Sequence, residues 1–133
     1  MNKKKLLVFM YWYTALGAGF CGLVLLLIPG LTQDFIRTLT PFPEQDPFFF
    51  GYMGSAYLAF GILAAMGISR PMRFVPVLML QLVYKSIWLC AVIIPNAVRG
   101  EHPLYAIILA ITFATYVIGD LLAIPFGELM AKE

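Results

Sequence analysis

Charge is what this sequence has least of. Asp, Glu, Lys and Arg make up 12% of its 133 residues, where a soluble globular domain carries about 25%. A chain so poor in polar side chains cannot cover its own surface with groups that water wets. Soluble, disordered and collagen-like classes are therefore excluded. The formal net charge of +2 provides no basic face for a polyanion, so nucleic acid is not an expected partner. Histidine occurs once and cysteine twice. Cys21 and Cys90 each lie inside an apolar run and read as packing residues rather than a redox pair. The lone His102, beside Glu101, offers too few ligands for a zinc or iron site. No metal and no cofactor is expected, and no separate hydrophilic lobe is present, so residues 1–133 read as one transmembrane domain.

What the sequence does contain is hydrocarbon: 62% hydrophobic residues, 15% aromatic and a mean hydropathy of +0.88. A bilayer core needs about 20 apolar helical residues to cross it. Four segments meet that length: Leu6–Ile28, Pro47–Ile68, Phe74–Ala97 and Pro103–Phe126. Lipid cannot satisfy backbone groups, so each must be helical. The opening Met1-Asn2-Lys3-Lys4-Lys5 imitates a signal peptide, but the uncharged stretch from Leu6 to Gln33 far exceeds the about 7–15 residues of a signal core. It reads as a retained first helix, closed by Pro29-Gly30. The fold class is thus all-α, an integral membrane four-helix bundle.

Orientation follows from Lys and Arg outside the spans. Lys3, Lys4, Lys5, Arg70, Arg73 and Lys132 share one side, and Arg37 and Arg99 the other. Both termini are expected inside, N-in and C-in. Between the first two spans, Leu31, Phe35 and Leu39 recur every four residues, with Asp34 and Arg37 off that row. This predicts a short amphipathic helix on the outer membrane surface, broken by Pro41-Phe42-Pro43. Small residues spaced by four supply faces for close packing: Ala15 with Gly19, Ala18 with Gly22, Gly51 with Ser55 and Gly61 with Ala65, extended by Gly54. Tyr11, Trp12 and Tyr13, and the run Phe48-Phe49-Phe50, read as interfacial anchors.

Two charges stand inside the spans. Lys85 is roughly 16 Å along its helix from Phe74, and Asp120 roughly 9 Å from Phe126, at 1.5 Å per residue. Either charge alone costs about 2.5–3.5 kcal/mol at a helix centre, so both are expected to point into the bundle. The third and fourth helices are antiparallel neighbours, which allows a Lys85–Asp120 ion pair. Gln81, Tyr84 and Trp88 share a face with Lys85 at spacings of three and four. Thr112, Tyr116 and Asp120 form an i, i+4, i+8 row opposite. This polar stripe admits three readings: a structural clamp, a cavity for a lipid or small amphipathic molecule held by Lys85, or a proton or ion path.

One further signal is a resemblance. Pro29-Gly30 after the first helix, Phe50-Gly51-Tyr52-Met53-Gly54-Ser55-Ala56-Tyr57-Leu58-Ala59-Phe60-Gly61 in the second, the basic turn Ser69-Arg70-Pro71 and the stretch Gln81-Leu82-Val83-Tyr84-Lys85-Ser86-Ile87-Trp88 together resemble small bacterial DoxX-like inner-membrane proteins. The resemblance covers the whole chain through layout and glycine-rich texture. It implies a four-helix bundle in the bacterial cytoplasmic membrane and an accessory role beside respiratory or redox enzymes, and it carries no catalytic residue. The expectation is a non-enzymatic protein. It would be an accessory or assembly subunit of a larger membrane complex, or a homo-oligomer. The alternative is binding or transport of a small amphipathic molecule or lipid.

Overall fold

The computed structural model describes residues 2–131, and every regular element among them is helical. Lys132, counted above for orientation, lies outside the described residues. Helix α1 spans Lys3–Leu27. It begins where the Asn2 side chain accepts a hydrogen bond from the Lys5 N–H at 2.8 Å, meeting one of the orphan donors of a first turn. The helix closes just before Pro29, as expected, and the chain resumes at once as the short helix α2, Pro29–Leu39, which starts two residues earlier than the Leu31 stripe. Proline has no N–H to donate yet suits the first position of a new helix. The Thr32 hydroxyl lies across the joint, donating to the Val24 and Ile28 carbonyls at 3.0 and 2.8 Å. Along α2, Leu31, Phe35 and Leu39 are all exposed. None of the described residues covers this apolar stripe, which has the pattern of an amphipathic helix.

Helix α3 spans Pro47–Ser69 and is capped by Asp46, whose carboxylate accepts from the Phe48 N–H at 2.8 Å. The third crossing is composite: α4 (Val75–Trp88), a π-helical turn (Leu89–Ile93) and α5 (Ile94–Val98). Pro95 cannot donate to the carbonyl four residues back, and the turn before it widens, with the Ile94 N–H reaching the Leu89 carbonyl. Helix α6 covers Leu104–Ala123, and a last short turn, α7, covers Phe126–Leu129. Lys3–Leu27, Pro47–Ser69, Val75–Val98 and Leu104–Ala123 are each long and apolar enough to cross a membrane. The chain is a multi-pass helical membrane protein.

In cross-section, α1 packs on α3 and α6, while α4 packs on α6 and more lightly on α3. Helices α1 and α4 thus face one another across the middle. The α1–α3 contact is the closest because glycine replaces side chains on both faces. A Cβ on Gly61 would fall on the backbone of Gly19, and one on Gly22 would lie 2.7 Å from the Gly54 oxygen and 2.8 Å from Leu58 Cα. Gly19, Gly22, Gly54 and Gly61 therefore serve packing within the chain, whereas Ser55 and Ala65 are exposed. The main apolar core gathers Leu7, Met10, Tyr11, Ala64, Val75, Leu78, Tyr116, Ala123 and Ile124. All of these lie in the half of the bundle that holds the start of α1 and the end of α6.

Tyr11 is part of that core rather than an interfacial anchor. It is fully buried, and its hydroxyl donates to the Pro71 carbonyl at 2.5 Å. Phe50 is also buried, leaving Trp12, Phe48 and Phe49 exposed. Cys21 and Cys90 are free and exposed, so neither packs the interior as its apolar setting suggested.

Candidate functional site

The polar residues of three helices meet in the core. Buried positions on α4 are Val75, Leu78, Gln81 and Lys85, a single stripe at spacings of three and four. The stripe delivers Gln81 and Lys85 to the middle of the bundle. From α6 come Tyr116 and Asp120, and from α1 Thr14, all buried. Gln81 and Asp120 have no exposed surface and Lys85 only 2%. Charges this deep in a membrane bundle must find partners inside it.

The direct ion pair that the helix arrangement allows is replaced by a bridged one. Asp120 Oδ2 accepts from Gln81 Nε2 at 2.9 Å, and Lys85 Nζ donates to Gln81 Oε1 at 3.2 Å. One neutral amide therefore stands between the two charges, its donor end on the carboxylate and its acceptor end on the amine. The same Nε2 also lies 3.2 Å from Thr14 Oγ1, which ties α1 to α4 across the bundle. Separating the pair has a physical cause. The ammonium group is drawn to rings instead: Lys85 Nζ lies 3.4 Å from the Tyr116 ring centroid, 4.8 Å from that of Phe113 and 5.8 Å from that of Tyr84. A desolvated cation over an aromatic face gains about 2 kcal/mol.

The surrounding aromatics fix that box. Tyr116 stacks on Tyr13 with centroids 4.1 Å apart and planes 4° from parallel, and its hydroxyl donates to the Tyr13 carbonyl at 3.2 Å. Gly17 makes that approach possible, since a Cβ there would occupy the place of the Tyr116 hydroxyl. Phe113 meets Tyr84 and Trp88 edge-on, at 6.2 and 5.1 Å.

Of the residues the sequence assigned to a cavity wall, Gln81, Tyr84 and Tyr116 contact the charges directly. Trp88 is half-buried and supports the box through Phe113. Thr112 does not belong to it: its side chain is exposed, and its hydroxyl turns back to the Ile108 carbonyl at 2.9 Å. Two members were missed. Phe113 is the nearer aromatic neighbour of Lys85 after Tyr116, and Thr14 is the hydroxyl on α1. Thr14 had a legible signal: it is the one polar residue on the row Leu7, Met10, Tyr11, Thr14, Ala18 that α1 buries.

Asp120 Oδ1 is the one buried side-chain nitrogen or oxygen with no partner among the described residues. Such an atom is costly in an apolar interior and marks the place where a water or ligand donor would bind. Among the described residues, no group of three His, Cys, Asp or Glu side chains is placed to hold a metal ion. No protein-family model, curated protein or solved structure matches this chain.

Away from the charges, next to the loop that joins them, the third and fourth spans part to leave a cleft of about 310 Å³ lined by Ile93, Ala97, Ala106, Ile107, Ala110 and Ala114, with Glu101 and His102 at its mouth. On α6, Ala106, Ala110 and Ala114 follow one another at intervals of four. They leave a shallow track along the helix.

Proposed function

We propose that this protein is a non-enzymatic accessory or assembly subunit that receives a transmembrane helix of another membrane protein, or of a second copy, in the cleft beside α6. The carrying observation is the alanine track Ala106–Ala110–Ala114 facing an apolar cleft. In lipid, helices associate by close approach of small residues rather than by hydrophobic burial, and this track is a small-residue face that the chain covers only in part. The closed polar cluster in the core supports the same reading. A network that ties α1, α4 and α6 together fixes one geometry for a partner to meet.

The reading includes residence in the bacterial cytoplasmic membrane with both termini inside, supported by the basic residues at one end. It also includes the accessory role beside respiratory or redox enzymes that the DoxX-like resemblance implies. Native mass spectrometry on gently solubilised membranes tests it. A complex that is lost in Ala110→Leu is the expected result. A solitary wild-type monomer, bound to no other protein, would overturn it.

A second reading has its own observation. The open Asp120 Oδ1 beside the caged Lys85 amine favours a small amphipathic ligand or lipid whose donor group completes the cluster. Asp120→Asn, which keeps the shape and changes the bonding, should then release a bound molecule detectable in organic extracts of the purified protein. Equal extracts from both proteins count against it.

A further inference from the structure

The end of the bundle that holds the start of α1 contains a pocket of a different character. About 510 Å³ in volume, it lies between Lys3, Lys4 and Leu7 of α1, the turn Arg70–Arg73 joining α3 to α4, and Ala123, Pro125 and Glu128 at the end of the chain's last span. Its base is hydrocarbon: Leu7, Ala123 and Pro125 are buried. Four cations and one carboxylate stand around that base. Among the described residues, none of those five side chains is engaged in a hydrogen bond or ion pair with another part of the protein.

The pocket is built rather than incidental, because its walls come from three separated stretches of chain that the interior holds in register. The Tyr11 hydroxyl, fully buried, donates to the Pro71 carbonyl at 2.5 Å, fastening the basic turn over the first turns of α1. Gly67 makes room for that tyrosine: a Cβ there would lie 2.6 Å from the ring. Arg70 and Arg73 are thereby set opposite Lys3 and Lys4.

We infer that this pocket binds the phosphate headgroup of an anionic phospholipid. It sits where all four spans end, at the level where lipid phosphates lie, and it pairs a cationic rim with an apolar base, as a phosphate attached to glycerol and acyl chains requires. Basic pockets between transmembrane helices take acidic headgroups by this combination, with arginine supplying the forked donors that fit phosphate oxygens. Glu128 is the one opposing charge, and four cations outweigh it. A free phosphate would use the rim but leave the apolar base empty, so the lipid is the occupant that uses both.

The test uses the full-length protein in a neutral maltoside detergent, with phosphatidylglycerol, phosphatidylcholine and inorganic phosphate added separately. Thermal midpoint and retained adducts in native mass spectra are the readouts. Phosphatidylglycerol should raise the midpoint and stay bound, while phosphatidylcholine and phosphate at equal concentration do neither. The double variant Arg70→Gln/Arg73→Gln should need about tenfold more phosphatidylglycerol for the same rise. Lys3→Gln/Lys4→Gln, altering only exposed residues of the first turn of α1, should shift the same way and decides the matter should the arginine variant not fold. Equal effects of the two lipids, or variants that respond like the wild type, overturn the inference. A phosphate effect matching that of phosphatidylglycerol would assign the pocket to free anions and overturn the lipid.

Discussion

The α1–α3 pair and the pairing of the third and fourth spans solve the same problem by opposite means. Between α1 and α3, four glycines bring backbone against backbone, and no charge is involved. Between α4 and α6, bulky aromatics hold the helices around Lys85, Gln81 and Asp120, and farther along the same pair opens into the alanine-lined cleft. The first pair is closed along its length by shape. The second is closed at one level by polarity and left open at another. Packing without charge suits a permanent scaffold, while a pair held at one level leaves open the face on which the proposed docking rests.

The comparison breaks most severely at the charges. Asp120→Leu leaves Lys85 without its anion, and losing one member of a buried charged pair costs about 3–5 kcal/mol. Its thermal midpoint in detergent should fall below that of any single change in the glycine seam or at Gln81. The double variant Lys85→Met/Asp120→Leu should recover much of that loss, because matched apolar replacement is often near neutral.

Next in size is the glycine seam. Gly22→Val drives a branched side chain into the backbone of α3 at Leu58 and Gly54 and should cost about 3 kcal/mol, the upper range of overpacking. Size-exclusion profiles should show a broadened, partly unfolded species. The same valine at Gly51, where a Cβ meets no atom within 4 Å, should leave the profile unchanged.

The amide sharpens the comparison further. Gln81→Leu removes the bridge and should cost about 1–3 kcal/mol through unsatisfied polar groups. In that background the Lys85–Asp120 coupling measured by a double-mutant cycle should fall well below its value with Gln81 present. Undiminished coupling would mean that the charges communicate without the amide. The smallest effect belongs to Thr112→Val, expected within about 0.5 kcal/mol of wild type, since its hydroxyl serves only its own helix.

Much of this architecture was legible in the residues. The four apolar runs anticipate the observed spans to within three residues, because hydropathy over a crossing length admits few alternatives. The α2 stripe was readable from a spacing of four, and of the small-residue positions Gly19, Gly22, Gly54 and Gly61 do pack helix on helix, although which helices meet there was not readable. Spacing misled at Thr112. At 100° per residue, an eight-residue step drifts about 80° around the helix, whereas the seven from Phe113 to Asp120 drift only about 20°. Phe113 therefore shares the Asp120 face and Thr112 does not. The direct ion pair gave way to a bridged one for another reason. Depth along two helices establishes that charges can meet, but not that rings and a neighbouring amide will take each of them first. Thr14 was legible as the polar residue of the row that α1 buries, but its bond to Gln81 was not, because a single helix's periodicity does not say which helix faces it.

The amide bridge also has a consequence for the order in which the chain is made. The first two spans to leave the ribosome have no charge in their apolar stretches, so the glycine-seamed hairpin can form in lipid unaided. The third brings Lys85, and Gln81 on the same face can engage it and the waiting Thr14 hydroxyl at once. Asp120 comes last, in the final span, and completes the cluster through the Gln81 amide nitrogen. Truncating synthesis before Leu104 would strand a lysine in the bilayer with only the Gln81 amide and the Tyr84 ring for company, because Phe113 and Tyr116 also arrive with the last span. Such nascent chains should be the preferred substrates of membrane quality control.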